Sequence, residues 1–195
     1  FLVAPGIDAP GAVRVEDVAV SQGDSCTCCC GGRTTAFTSP LLSVESYRTP
    51  LMLAAAAVCE LGGEPARLSS FRAIPGRMSE SREGDVRVID NANSGTSGPT
   101  TLDAAEYARK ITGLDEITLV IGKETGAVCE GFPAEELIAA IGKIRPARVI
   151  LVGEEYAGIE VIPGCAGVPL THAGSLKEGA SLARSMTRQG NIVLS

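Results

Sequence analysis

The first part of the chain alternates apolar and polar residues over short stretches. Val13–Val15 and Val18–Val20 follow this pattern, and Thr34–Phe37 has the composition of a further strand. A period of two is typical of strands that bury one face, and Gly23 and Gly31 supply turn residues between them. The pattern predicts a small antiparallel β meander.

An alanine-rich apolar segment, Leu51–Leu61, has the composition of a buried helix. Thr49 is the expected N-cap and Pro50 the expected first helical residue. Proline has no N–H, and the first N–H groups of a helix have no partner within it, so proline is tolerated there. Gly62 is expected to end this helix. The segment Pro65–Phe71 predicts a second, short helix.

Beyond Gly76 the pattern changes to short apolar strands that alternate with helices. This alternation predicts a parallel sheet with helices on both faces, so the fold class is α/β, with the meander and the alanine-rich helix in front. We expect residues 1–75 and 76–195 to form separate domains. The predicted strands are Val86–Ile89, Ile117–Ile121, Ala147–Val152 and Ile192–Leu194, and the predicted helices are Thr101–Ile111, Pro133–Ile144 and Ser175–Arg188, the last with a capping box between Ser175 and Glu178.

The overall composition narrows the possible functions. The 195 residues are 45% hydrophobic and carry a formal net charge of −6. An acidic chain without a basic cluster is poorly suited to bind nucleic acid, and no apolar run approaches the roughly 20 residues that span a bilayer. The chain starts at Phe1 without a Met or a signal sequence, so we expect a piece of a longer cytoplasmic protein.

A long polar segment in the second part, Asp90–Thr100, comes directly after a predicted strand. A carboxylate at the carboxyl end of a parallel strand lies where open α/β sheets bind ligands, and the start of the next helix favours an anion. Asn, Ser and Gly also make ordinary turns. The length and polarity of the segment favour a binding site over a simple connection.

Arg77 lies between Gly76 and Met78, at the junction of the two parts. An arginine there could reach a cleft and bind phosphate oxygens with two N–H groups. A single arginine is more often a surface charge, so the residue alone leaves both interpretations open.

Four of the seven cysteines lie together, at Cys26, Cys28, Cys29 and Cys30. An odd number of cysteines without a secretory signal favours reduced thiols. The spacing is too tight for one tetrahedral zinc site, so burial as small apolar residues is favoured over a metal or redox module, and we predict no metal ligands. His172, the single histidine, fits a strand-end residue better than a catalytic base.

The order of these segments resembles that of the Mur ligases and the related folylpolyglutamate synthetases. The central ATPase domain of that family ends in strands and an alanine-rich helix, here Leu51–Leu61. A Gly-Arg-Met-like hinge, here Gly76–Met78, leads to a strand that ends in an Asp-Tyr-Ala-His-like motif, here Asp90–Asn93. Gly190–Ser195 is similar to the family's last strand. The resemblance implies that residues 1–75 end the central domain and that 76–195 form the Rossmann-like C-terminal domain.

This resemblance implies an ATP-dependent ligase that activates a substrate carboxylate as an acyl phosphate for attack by an amine or a carbon nucleophile. Neither Gly122-Lys123 nor Gly142-Lys143 has the spacing of a P-loop, so the ATP anchor would lie in the missing central domain. The partners would be ATP, a carboxylate-bearing small molecule and that domain of the same polypeptide. Mg²⁺ would be held mostly outside this chain, which would be inactive alone.

The resemblance also implies roles for individual residues. Arg77 would contact the terminal phosphate of ATP as a catalytic residue, and Asp90 would contact the ribose or the adjoining phosphates. Ser195 would lie near the substrate-binding loop. The residues that contact the nucleotide would be Asp90, Asn91, Asn93 and Ser94.

Two departures from the family pattern narrow the resemblance. Tyr47-Arg48 stands where the family has His-Asn, and Asn93 replaces the final His of the strand motif. Both are similar to the archaeal Mur-like branch, which includes the synthetase that closes the carbocyclic ring of the nickel corphin cofactor of methyl-coenzyme M reductase. The residues alone leave two other classes open: a stand-alone nucleotide-binding or regulatory module, and a metal or redox module built on Cys26–Cys30.

Overall fold

The computed structural model describes residues 2–3, 13–92, 96–124, 133–163, 165 and 167–195. The chain divides into two compact units, Phe1–Arg72 and Ala73–Ser195. Within the described residues, no helix is long and apolar enough to cross a membrane.

The first unit opens with short elements. Strands β1 (Leu2–Val3) and β2 (Val13–Arg14) form a parallel pair, and one helical turn, α1 (Val15–Val18), follows. The strand pattern expected over this turn is wrong, because Val15 and Val18 are both buried. Residues three apart share one face of a helix, so a helical turn buries both side chains at once.

A three-stranded antiparallel sheet follows, and it confirms the predicted meander over the described residues. Its strands are β3 (Ala19–Gln22), β4 (Ser25–Cys30) and β5 (Arg33–Thr38), paired in the order β3-β4-β5. One face of β4 is covered by a helix whose residues Ala55 and Ala56 are fully buried. Small alanines let the helix approach the sheet closely.

That helix, α2 (Glu45–Glu60), begins earlier than the sequence predicts. The expected start at Thr49 and Pro50 is wrong, since Pro50 lies inside the helix and the N-cap makes no side-chain bond. A proline removes the hydrogen bond to the carbonyl four residues before it. The Nε of Arg48 donates to the Leu42 carbonyl at 3.0 Å and supports the first turns from outside.

The end of α2 and the segment after it follow the predicted pattern. Gly62 has a φ of 74°, a left-handed conformation that favours glycine, and α2 ends just before it. A 3-10 helix at Pro65–Ser70 occupies the place of the predicted short helix. Another 3-10 helix, Pro40–Ser43, precedes α2.

The second unit is a mostly parallel sheet with helices, which confirms the predicted α/β class. In the described residues its strands are β6 (Ser79–Glu83), β7 (Val86–Asp90), β8 (Ile117–Gly122), β9 (Arg148–Val152), β10 (Leu170–Ala173) and β11 (Gly190–Leu194). They pair in the order β10-β9-β8-β11-β7-β6, and only the β6–β7 pair is antiparallel. The helices are α3 (Gly98–Thr112), α4 (Ala134–Ile144) and α5 (Leu176–Met186), with a 3-10 turn at Glu154–Tyr156.

The sheet is buried on both faces. Every residue of β8 from Ile117 to Ile121 is fully buried, as expected for a central parallel strand. On one face, Val120 and Ile192 pack with Ala180 and Ala183 of α5. Helices α3 and α4 pack against each other, and α3 contacts β7 and β11.

Two of the strands described in the second unit were not predicted from the sequence. β6 is wholly polar, which an edge strand tolerates because it has no neighbour on its outer side. β10 is short, and His172 lies next to its last residue, which agrees with the expected strand-end position of this histidine.

The predicted capping box of α5 forms only in part. The Ser175 hydroxyl accepts from the Glu178 N–H at 3.1 Å, as expected. In a full capping box the Glu178 carboxylate would accept from the N–H of Ser175. Here it accepts from the N–H of Gly174, one residue earlier, at 2.8 Å.

Candidate functional site

The carboxyl ends of neighbouring parallel strands bring several predicted site residues together. Asp90 is the last residue of β7 and lies in register with Leu194 of β11. The backbone N–H of Asn91 donates to the Leu194 carbonyl at 2.9 Å, and that of Ser195 donates to the Val120 carbonyl at 2.8 Å. Three candidate residues from distant parts of the sequence therefore share one edge of the sheet.

The Asp90 carboxylate is held by two backbone donors. Its Oδ2 accepts from the Gly76 N–H at 3.0 Å, and its Oδ1 accepts from the Ala92 N–H at 3.2 Å. Each carboxylate oxygen has two acceptor positions, so both retain capacity for a further donor such as a sugar hydroxyl. The first bond also joins the end of β7 to the Gly76–Met78 turn.

Arg77 lies in a turn whose backbone is strongly constrained. Gly76 before it has a φ of 76°, and Met78 after it has a φ of 60° and is 2% exposed. The N–H of Arg77 donates to the Ile74 carbonyl at 3.0 Å, and its side chain is exposed. A left-handed non-glycine residue is unfavourable, so the packing of Met78 holds this turn in its conformation, and the phosphate contact of Arg77 stays a prediction.

Asn91 is buried and ties the polar segment to α3. Its Nδ2 donates to the Thr100 carbonyl at 3.2 Å, and its own carbonyl accepts from the Thr96 hydroxyl at 2.8 Å. The structure thus gives this side chain a role in shaping the segment, and its contact with a nucleotide stays a prediction. Asn93 and Ser94 lie outside the described residues.

Ser195 is 4% exposed and bonds to α3. Its Oγ lies 2.5 Å from the Oγ1 of Thr101, and that Oγ1 also donates to the Ser97 carbonyl at 2.9 Å. The predicted nearness of Ser195 to a substrate loop stays a prediction. The buried Thr101 was missed in the sequence, because a threonine in the first turn of a helix has no distinguishing pattern.

The beginning of α3 is occupied by the protein itself. The Ser97 N–H donates to the Thr100 hydroxyl at 2.9 Å, and the Thr100 N–H donates to the Ser97 hydroxyl at 3.4 Å. The Gly98 N–H donates to the Glu136 carboxylate of α4 at 2.7 Å. The expectation that this helix start favours a ligand anion therefore needs correction, because the anion bound there is a side chain of α4.

Cys26 and Cys28 are fully buried on one face of β4, while Cys29 is exposed on the other. The Sγ atoms of Cys26 and Cys28 lie 4.0 Å apart. Burial, with a smaller contribution from Cys28, raises the pKa of Cys26 to about 12. Buried thiols with raised pKa values behave as small apolar residues, which agrees with the packing interpretation.

The expectation of reduced thiols is wrong for Cys59 of α2, which is disulfide-bonded. An odd cysteine count does not exclude a single disulfide, so the count was a weak argument for this residue.

Within the described residues, no group of three or more His, Cys, Asp or Glu side chains could hold a metal ion. His172 is exposed, and its Nε2 lies 3.2 Å from the Ile159 carbonyl oxygen.

The fold is that of the C-terminal portions of Mur-type ligases. It is similar to UDP-N-acetylmuramate-alanine ligase MurC from Thermotoga maritima, with a TM-score of 0.58 and 12% identity, over 91% of this chain and 40% of that chain. It is also similar to Mycobacterium tuberculosis folylpolyglutamate synthase complexed with ADP, with a TM-score of 0.59 and 14% identity, over 91% of this chain and 43% of that chain.

Residues 80–195 match the family described as coenzyme F430 synthetase CfbE, C-terminal domain, and the chain belongs to this family. It is 34% identical over 165 residues to coenzyme F(430) synthetase from Methanosarcina acetivorans, covering 80% of this chain. The chain spans only 34% of that relative's length. The resemblance to the Mur ligases and to their archaeal branch is therefore confirmed.

Proposed function

We propose that this chain is the C-terminal part of an ATP-dependent ligase that makes coenzyme F430. In this proposal residues 1–75 end the central ATPase domain, and residues 76–195 are the Rossmann-like C-terminal domain. The observation that carries the proposal is the Asp90 carboxylate, held at the end of a parallel strand and bonded to the Gly-Arg-Met hinge, in a chain of this family. The expected location is the cytoplasm.

The residues of the second unit are suited to hydrogen-bond a nucleotide but not to hold its phosphate chain. Asp90 retains acceptor capacity for the ribose hydroxyls, whereas the Gly98 N–H at the start of α3 is already bonded to Glu136. A phosphate chain would therefore be held by a P-loop elsewhere in the parent protein. Asn91, Asn93 and Ser94 would complete the nucleotide contacts from the segment after β7.

The proposed reaction has two steps. An oxygen of the substrate carboxylate attacks the γ-phosphorus of ATP, ADP leaves, and an acyl phosphate forms. A nucleophile then attacks the acyl carbon, and phosphate leaves with that carboxylate oxygen. The nucleophile would be carbon in the ring-closing synthetase and an amine in peptide ligases. Mg²⁺ would neutralise phosphate charge from ligands mostly outside this chain.

Arg77 is the residue of this chain that would act on the reacting group. Its guanidinium would bind the terminal phosphate and stabilise the charge that develops during transfer. Ser195 would lie near the substrate-binding loop. Because the anchor for ATP would be missing, we expect the 195-residue chain alone to form no ADP.

The test is Arg77→Ala in the full-length parent protein, with ADP formation measured in the presence of the carboxylate substrate. We expect kcat/KM to fall at least about 100-fold, the usual effect of removing one group that stabilises transition-state charge. Arg82→Ala is the matched control, because Arg82 is an exposed arginine of β6 whose Nε donates only to the Gly84 carbonyl in the bonds described. Unchanged turnover in a folded Arg77→Ala protein would rule out the phosphate role.

A further inference from the structure

The Glu136 carboxylate joins the start of α3 to α4, and we propose that it is a positioning residue for Asp90 and Asn91 at the end of β7. This inference rests on the proposed function. The Oε1 of Glu136 accepts from the Gly98 N–H at 2.7 Å, and Gly98 is the first residue of α3. The two residues are 38 positions apart, so the bond ties together two separate elements.

The start of α3 needs this outside acceptor. The first amides of a helix have no partner within it. Here Ser97 and Thr100 satisfy each other's N–H groups, and Pro99 has none. Gly98 keeps an amide that neither of them satisfies, and Glu136 accepts it. The carboxylate also lies at the positive end of the α3 dipole, which strengthens the bond.

Glycine at position 98 gives the carboxylate room. A Cβ on Gly98 would lie 3.1 Å from both the Cγ and the Oε1 of Glu136, a tighter contact than most, so the glutamate would have to shift by a few tenths of an ångström. Gly98 is also buried. The local sequence therefore leaves space at this helix start for a side chain from α4.

The position of the first turn of α3 is passed on to the candidate site. The Thr100 carbonyl in that turn accepts from Nδ2 of Asn91, and the Asn91 carbonyl accepts from the Thr96 hydroxyl that precedes the helix. Asn91 directly follows Asp90. A shift of the first turn would therefore disturb Asn91, the residue next to Asp90.

The far end of α3 is fixed independently of Glu136. The Arg109 guanidinium donates to the Ile144 carbonyl at the end of α4 at 2.5 Å, and the Thr112 hydroxyl donates to the Asn191 side chain at 3.1 Å. Loss of Glu136 should therefore loosen the first turn without separating the helices. A local effect of the substitution on nucleotide affinity can therefore be distinguished from unfolding of the protein.

The experiment compares Glu136→Ala, Glu136→Gln and Glu135→Ala in the full-length parent protein. Glu135 is the matched control, because it is an exposed glutamate in the same first turn of α4. Glutamine keeps an acceptor oxygen for the Gly98 N–H, so Glu136→Gln should behave much like the wild-type protein. Two quantities are measured: hydrogen exchange in the first turn of α3, and KM for ATP alongside kcat.

For Glu136→Ala we expect faster exchange at the start of α3 and a rise of about tenfold in KM for ATP, with kcat nearly unchanged, as for the loss of one hydrogen bond that positions the binding residues. Glu136→Gln and Glu135→Ala should stay within about twofold of wild type. Equal behaviour of Glu136→Ala and Glu135→Ala would overturn the inference. A wild-type protein without ATP-dependent activity would instead overturn the proposed function, and the exchange data would still decide whether Glu136 holds the helix start.

Discussion

Asp90 is fixed at the end of β7 because each of its two carboxylate oxygens accepts a backbone N–H, one from Gly76 and one from Ala92. Asparagine could not replace it, since an amide has one acceptor oxygen and its nitrogen would face an N–H. The carboxylate is therefore required for the local backbone even without a nucleotide. Loss of activity in an Asp90 variant could come from the disturbed backbone or from the lost nucleotide contact. Arg77 is therefore the better residue with which to test the proposed function.

A second residue-scale consequence concerns Cys26. Burial raises the pKa of its thiol from 9.0 to about 12. A group whose pKa is raised by folding stabilises the fold fully below its unfolded pKa and loses that contribution as pH rises through the folded value. We expect the free energy of unfolding to fall between about pH 9 and pH 12 by up to a few kcal/mol from this thiol, at about 1.4 kcal/mol per pKa unit.

The measurement is urea unfolding of wild type and Cys26→Ala at about pH 7 and about pH 10.5, which lie on either side of the unfolded thiol pKa. The variant should be less stable near neutral pH but should lose less stability on going to high pH. Cys29→Ala, on the exposed face of the same strand, should follow wild type. Parallel pH dependence of wild type and Cys26→Ala would contradict the assignment.

For individual residues, the sequence predicted burial and position correctly where these depend on neighbouring residues in the chain. Burial of Cys26 and Cys28 as small apolar residues was predicted, and so was the position of Asp90 at the end of a strand. Glu136 could not be found this way, because its partner is 38 residues distant and only the packing of α3 on α4 brings them together. Asn93 lies outside the described residues, so its role remains a prediction.

At the scale of elements, the close packing of α5 on the sheet depends on Gly179. A Cβ at this position would lie 2.8 Å from Cγ1 of Val120, 3.2 Å from Cγ2 of Val152 and 3.5 Å from Cγ2 of Ile150. Glycine is unfavourable inside a helix, by about 1 kcal/mol relative to alanine. The sheet contact explains why this helix contains it.

Gly179→Ala should lower the free energy of unfolding by about 1–3 kcal/mol, because the added methyl group must displace side chains from a packed core. Gly142→Ala is the matched comparison, since Gly142 lies inside α4 with no atom within 4 Å of an added Cβ. That variant should gain about 0.5–1 kcal/mol from the higher helix propensity of alanine. Urea unfolding of both proteins checks the prediction, and stabilisation by both substitutions would refute the packing account.

The elements that the sequence predicted correctly are those with a strong apolar pattern. The buried strands β8 and β9 and the amphipathic helix α4 were each located to within a few residues. The start of α2 was missed because a proline that usually opens a helix lies inside this one, supported by Arg48. The edge strand β6 was missed because its five polar residues carry no apolar signal.

At the scale of the whole molecule, two of the helix starts described in the second unit are supplied with the protein's own carboxylates. Glu136 bonds the first amide of α3, and Glu124 bonds the N–H of Leu176 at the start of α5 at 2.6 Å. Two positions where a phosphate could bind are thereby filled. This supports the proposal that the unit contacts a nucleotide that is anchored in another part of the parent protein.

The most direct test of the central claim follows the oxygen atoms of the substrate carboxylate in the full-length parent protein. The carboxylate-bearing precursor of the coenzyme is labelled with ¹⁸O and incubated with ATP, and the released phosphate is analysed by mass spectrometry. Activation as an acyl phosphate predicts that each phosphate carries one labelled oxygen and that ADP is the other product. Unlabelled phosphate, or AMP with pyrophosphate in place of ADP, would contradict the assignment of this chain to a Mur-type ligase reaction.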